Sequence, residues 1–286
     1  MPPKTFPGSP AVGAWLTGAL ATLLLLGGCV DGTPAAAWPG EGVPPLPTCR
    51  GDNDGVIAAG ELDFTPGRRA PYALVASPGP PVAGLPEAGG LRLWDFRDAT
   101  FDSVHEVPLL DPAGLWCADR LAGGTVALPF GPDEAPPDER EAVPSLLVLA
   151  ATGMAVDILG VASVQPELLL LAYDRAVPFL RFPLVRGARW QAEVAPAPGS
   201  RLGSLDLAEL ALVDAYRVEL AGQGRLTLPG MSLDNVLQLD LQLTRRLGDE
   251  GATWESRQTY LVHECLGTVA LRSEADEVWW VIWYPQ

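Results

Sequence analysis

The chain has almost no lysine and almost no histidine. Lys4 is the only lysine among 286 residues, and His105 and His263 are the only histidines. Basic residues total 19 against 35 acidic ones, for a net charge of −16. Such a surface repels phosphate backbones, which excludes nucleic acid as an ordinary electrostatic partner. Its plainest consequence is solubility. The catalytic signatures are missing too: there is no Gly-x-Ser-x-Gly elbow, no P-loop and no dinucleotide fingerprint. His263-Glu264-Cys265-Leu266-Gly267 begins like a zinc-protease motif. It lacks the second histidine four residues on, and it lies in a stretch that reads as a strand, where alternate side chains diverge. A zinc set of both histidines with Cys117 or Cys265 has no spacing to support it. The carboxylate pairs Asp133/Glu134 and Asp138/Glu139 fall in the acidic run from Asp133 to Glu141, which reads as a solvated loop. The expectation is a non-enzymatic protein, with a hydrolase as the weakest alternative.

What the chain does have is 48% hydrophobic residues, Gly 31 and Pro 29. That combination predicts a real core built from short strands and many turns rather than from long helices. The apolar run from Ala14 to Leu26 is of signal-peptide length and short of the roughly 20 residues that cross a bilayer comfortably.

That run ends in Leu26-Gly27-Gly28-Cys29. The tetrapeptide resembles the lipobox of bacterial lipoproteins. The resemblance implies removal of residues 1–28 and lipidation of Cys29, with the bilayer as partner. The mature chain would keep 18 arginines against 35 acids, a net of −17. A Pro/Gly/Ala-rich stretch, 29–47, then reads as a flexible tether. In lipoproteins of two-membrane bacteria, lack of Asp directly after the cysteine favours the outer membrane. Val30 stands there, with Asp31 one place later.

Cys49 to Leu62 resembles an EF-hand or dockerin-type calcium loop. With Arg50 as position one, Asp52 and Asp54 fall third and fifth, Gly55 sixth and Glu61 twelfth. Arg50 itself departs from the pattern, since it stands where an aspartate ligand belongs, and prolines replace the entering helix. Asp52, Asp54 and Glu61 are therefore the candidate ligands of a structural Ca²⁺. The competing reading is a turn held by side-chain hydrogen bonds and by Cys49.

From Arg69 onward the sequence is a succession of strand candidates. These are 69–77, 91–96, 105–110, 125–130, 145–151, 155–162, 167–173, 177–182, 213–220, 224–230, 236–245, 253–264, 268–273 and 277–284. Residues 206–221 also fit an amphipathic helix. Leu237, Leu239, Leu241 and Leu243 alternate with Gln238, Asp240, Gln242 and Thr244, as one dry and one wet strand face require. Val278-Trp279-Trp280-Val281-Ile282-Trp283-Tyr284 is apolar on both faces and reads as a buried strand, with an exposed aromatic patch as the alternative. The fold expected is mainly β: an antiparallel curved sheet or sandwich, with two β units in tandem, 48–176 and 177–286.

Phe182-Pro-Leu-x-x-Gly-x-x-Trp190, Gly224-x-Leu-Thr-x-Pro229, Asn235-Val-Leu237 and Glu264-Cys265-Leu-Gly267 together resemble a loose group of uncharacterised exported β-rich lipoproteins. The resemblance implies a disulfide between Cys49 and Cys265, leaving Cys117 as the odd thiol. Cys49–Cys117 is the rival pairing, since it closes a shorter loop. The function expected is a membrane-anchored envelope lipoprotein with a binding or structural role. The alternative is a carrier of a hydrophobic or lipid ligand, which calls for an apolar cavity of several hundred Å³ lined by residues such as Leu237, Leu239 and Trp280.

Overall fold

The structure is a computed structural model that describes residues 51–75, 79–130, 145–166, 168–248, 251–274 and 278–282. Four strands come first: β1 (Arg69–Val75), β2 (Leu85–Pro86), β3 (Arg92–Asp95) and β4 (Phe101–Pro108). The next four are β5 (Val126–Phe130), β6 (Ser145–Ala151), β7 (Ala155–Ser163) and β8 (Leu169–Arg181). Then follow β9 (Arg189–Val194), β10 (Arg201–Leu202), β11 (Leu205–Asp206) and β12 (Leu212–Leu228). The last are β13 (Met231–Leu247), β14 (Thr253–His263), β15 (Gly267–Ser273) and β16 (Trp279–Ile282). The protein is mainly β, as the turn-rich composition and the alternating runs predict.

The strands form two sheets. The larger runs β2-β3-β12-β13-β14-β15-β16-β1-β4, with β9 also paired to β12. The smaller runs β11-β10-β8-β7-β6-β5. Every pairing is antiparallel except β3 on β12. The sheets meet at two corners, through the bridges Leu110↔Ala127 and Tyr173↔Pro196.

Between the sheets lies the main core. The larger sheet contributes Val218, Leu220 and the leucines Leu237, Leu239, Leu241 and Leu243, and the smaller sheet contributes Leu147, Leu149, Leu171 and Val177. The period-two reading of β13 is thus realised on its dry face. The wet face is only partly wet, because Gln238 is buried. A second core contains Leu261, which projects opposite to Tyr260 and Val262 of the first, together with Trp94, Phe96, Leu226 and Trp279. A third packs Cys117 and Leu121, from the segment after β4, against Val148, Ala162 and Leu170 of the smaller sheet. Both sheets therefore have covered faces on each side. This explains why 146–149 is a continuous apolar run rather than an alternating one.

Three expectations are corrected. The division at 176/177 falls inside β8, and β1, β3 and β4 share a sheet with β9 and β12 to β16. The two β regions are therefore interleaved and do not stand in tandem. The candidates at 167–173 and 177–182 are one bent strand, β8, whose middle residues Asp174 to Ala176 are exposed. Residues 206–221 are not an amphipathic helix, because 212–228 is a single strand paired along its length with β13. The aromatic tail is a buried strand over Trp279–Ile282, between β15 and β1. Trp283 and Tyr284 lie outside the described residues, as do the leader, the tether, Cys29, Cys49 and the acidic run from Asp133 to Glu141.

Candidate functional site

The segment at the start of the body, 51–62, is a tight loop held by its own carboxylates. The Asp54 amide donates to Asp52 Oδ1 (3.2 Å), and the Val56 amide donates to Asp54 Oδ1 (2.7 Å). Glu61 ends a 3-10 turn, Ala59–Glu61, and accepts the Ala58 amide on Oε2 at 2.7 Å. Such side-chain-to-backbone bonds replace the ladder bonds that a loop lacks. Asn53 and Gly55 have positive φ, 58° and 83°, which a sharp turn needs and which Asn and Gly tolerate best.

Four contacts dock this loop on the body. The Asn235 side-chain amide donates to Asn53 O (2.7 Å) and Asn53 Oδ1 (2.9 Å). Gln223 Nε2 reaches Gly55 O. Ile57 bridges Leu184. The Cys265 amide donates to Glu61 O at 2.8 Å.

The last contact brings up Glu264. Asp52, Glu61 and Glu264 place one carboxylate oxygen each within 4.8 Å of one another. Glu264 is only 6% exposed, and the Asn53 amide donates to it. Burial, followed by the charges of Glu61, Asp52 and Asp54, pushes its carboxyl above its ordinary 4.5. Of the expected ligands, the structure brings Asp52 and Glu61 together and leaves Asp54 aside, spent on the Val56 turn. Glu264 takes its place from 210 positions later in the chain. The sequence held a signal for it, since Glu264 is the neighbour of Cys265, the cysteine implied to pair next to Arg50. Three carboxylates are a donor set suited to a hard cation, and calcium asks for six to eight oxygens.

Beside this loop an apolar cavity of about 150 Å³ opens between the sheets, lined by Leu62, Phe64, Leu109, Phe179, Leu239 and Tyr260. The Arg68–Asp63 ion pair lies at its rim. Its volume is below the roughly 300–1,000 Å³ of small-molecule pockets and suits a single benzene-sized group. Leu239 lines it as expected of a lipid carrier, but Leu237 and Trp280 do not.

The histidines stay apart. His105 Nε2 lies 2.7 Å from Ser103 Oγ, and its ring meets Trp280 edge-on at 5.1 Å. His263 ends β14, where burial pulls it below its ordinary 6.5. Cys265 is disulfide-bonded, and Cys117 is a free, buried thiol. The rival pairing of Cys49 with Cys117 is thereby excluded.

A second polar cluster ties the two sheets together. Arg245 on β13 donates to both oxygens of Asp214 on β12, at 2.7 and 2.6 Å, with both side chains buried. Tyr173, from β8 of the other sheet, donates to Asp214 Oδ2 at 2.8 Å, and its hydroxyl lies 2.7 Å from that of Tyr216. Burial, reinforced by the Asp214 charge, holds both phenols above the ordinary tyrosine range. They are donors at any physiological pH, and the cluster acts as a clamp. Its existence was signalled by Arg245, which continues the leucine alternation of β13 and so falls on the dry face.

No family model, no curated protein and no solved structure matches this chain.

Proposed function

We propose that this chain is a lipid-anchored envelope protein whose β body plays a binding or structural role at a membrane surface. The observation that carries this reading is Leu26-Gly27-Gly28-Cys29 closing an apolar run, with a Pro/Gly/Ala-rich stretch behind it. Acylation holds a protein by about 0.8 kcal/mol per buried methylene, and more than one chain makes the attachment stable. The test is expression in a two-membrane bacterium, followed by mass spectrometry of the N-terminal peptide and separation of the membranes. The expected result is an acylated peptide beginning at Cys29 in the outer-membrane fraction, with Cys29→Ser left unprocessed. An unmodified chain cleaved elsewhere and released to the periplasm overturns the reading. In the same proposal Cys49 is the partner of Cys265, which peptide mapping without reductant reads directly.

A second reading concerns the acidic loop. We propose that Asp52, Glu61 and Glu264 hold a structural Ca²⁺. The observation favouring it is a buried carboxylate, Glu264, gathered with two others. Binding to the native state alone must raise stability. A melting temperature equal in millimolar Ca²⁺ and in chelator rejects it.

A further inference from the structure

Six large hydrophobic side chains are exposed among the described residues: Leu85, Leu91, Met154, Val164, Leu168 and Val185. Contacts between their segments string four of them along the side of the body that carries the entering loop, 51–62. The Phe182 amide donates to Met154 O at 3.0 Å, which sets the β6–β7 turn beside the segment leading to Val185. Leu184, next to Val185, bridges Ile57 of the entering loop. The guanidinium of Arg186 reaches to 3.6 Å from where a Cβ on Gly90 would stand, which places Leu91 beside it. Leu85 pairs with Leu93 in the same small hairpin. Met154 is the most exposed of the set at 76%. Val164 and Leu168 belong to the β7–β8 turn at the far end of β7, roughly 30 Å away for nine residues of strand.

We propose that the surface formed by Met154, Val185, Leu91 and Leu85 rests on the bilayer to which the chain is anchored, so that the body has a fixed orientation rather than swinging on its tether. The inference rests on the lipidation reading above. About 20 residues separate Cys29 from Gly51. A flexible chain of that length spans on average about 25 Å, so the anchored body never leaves the neighbourhood of the membrane. Under that confinement the effective concentration of bilayer is high, and a patch too weak to bind membranes on its own suffices to dock. The patch lies on the side of the body where the described chain begins at Gly51, the side that a short tether holds toward the membrane. Arg186, which is exposed beside Gly90, supplies a donor for lipid phosphates in a chain whose acidity otherwise disfavours headgroups.

The experiment uses the full lipidated chain in phosphatidylethanolamine–phosphatidylcholine vesicles. Single cysteines are introduced as Met154→Cys, Val185→Cys and Val164→Cys and labelled with an environment-sensitive fluorophore; Cys117 is buried and Cys265 bonded, so neither competes for label. The expected result is a blue shift and brightening on vesicles at 154 and 185, with no change at 164. Unshifted spectra at 154 and 185 in an acylated, vesicle-bound chain overturn the inference while leaving the lipidation reading intact. Equal shifts at all three positions also overturn it, as does the same shift without vesicles in the chain from Val30 on, which indicates a second copy of the chain on this face. Absence of any acyl group at Cys29 removes the lipidation reading and this inference with it.

Discussion

Glu264 is the residue whose environment makes the sharpest demand. Its carboxyl is raised first by burial and next by Glu61, so the folded protein holds that proton more tightly than the unfolded chain does. Stability therefore falls as pH rises from about 4.5 through the raised value, because there the unfolded state has lost its proton and the folded state must lose it at a cost. In the absence of metal, Glu264→Gln relieves this repulsion and keeps an acceptor for the Asn53 amide. The variant is expected to melt above the parent at pH 7, with the gap closing toward pH 4. Thermal melts across that range in chelator check it, and a gap that does not change with pH contradicts it. Under the calcium reading the order reverses in millimolar Ca²⁺, since only the parent gains from the ion.

Asp214 makes a separate prediction at the same scale. With Arg245 buried against it, Asp214→Asn leaves a guanidinium without its counter-charge inside the sandwich. Breaking such a pair from one side costs about 3–5 kcal/mol, a large fraction of a domain's stability. Denaturant titration reads it as a lower midpoint, and a loss under about 1 kcal/mol means that Tyr173 and water compensate.

At the scale of elements, β3 joins the larger sheet through its parallel pairing with β12, and Gly224 permits that approach. A Cβ at Gly224 would lie 1.8 Å from the Arg92 carbonyl oxygen, a backbone atom that cannot swing aside. Gly224→Ala is expected to push β3 off β12 at a cost of about 1–3 kcal/mol. Hydrogen exchange should then show Leu93 and Trp94 losing protection while β14 and β15 keep theirs.

The sequence announced many of the elements and few of their partners. Runs 145–151 and 236–245 were legible because their side-chain pattern is local. Pairings such as Gly224↔Arg92 depend on which faces find each other across a long separation, and no local period carries that information. The same limit explains the site: Asp52 and Glu61 belong to one loop and were visible together, whereas Glu264 arrives through the fold. The single bent β8 reads as two strands because Asp174-Arg175-Ala176 interrupts its apolar pattern, which is what an exposed bend within a strand looks like from sequence alone.

For the whole molecule, the decisive fact is that each half of the chain completes the other's sheets. β1 is hydrogen-bonded to β16, and β3 to β12, so the larger sheet holds strands from both sides of 176/177. The clamp of Tyr173 on Asp214 ties the smaller sheet to the larger across the same division. A cut there leaves 48–176 with β1 and β4 but none of β12 to β16, and splits β8 within its pairing to β7. The main core is divided as well, since its apolar faces come from β6 to β8 on one side and from β12 to β14 on the other. Two independent units would unfold in two transitions and survive separation. Interleaved sheets predict the opposite: one cooperative unfolding transition for 48–286, coincident by far-UV and tryptophan signals, and no folded state for either 48–176 or 177–286 alone. Mixing the two fragments should restore sheet structure, because each supplies the strand edges and apolar faces that the other exposes. A stable, protease-resistant 177–286 would show that β9 and β12 to β16 hold without β1 and β3, and would return the chain to two units.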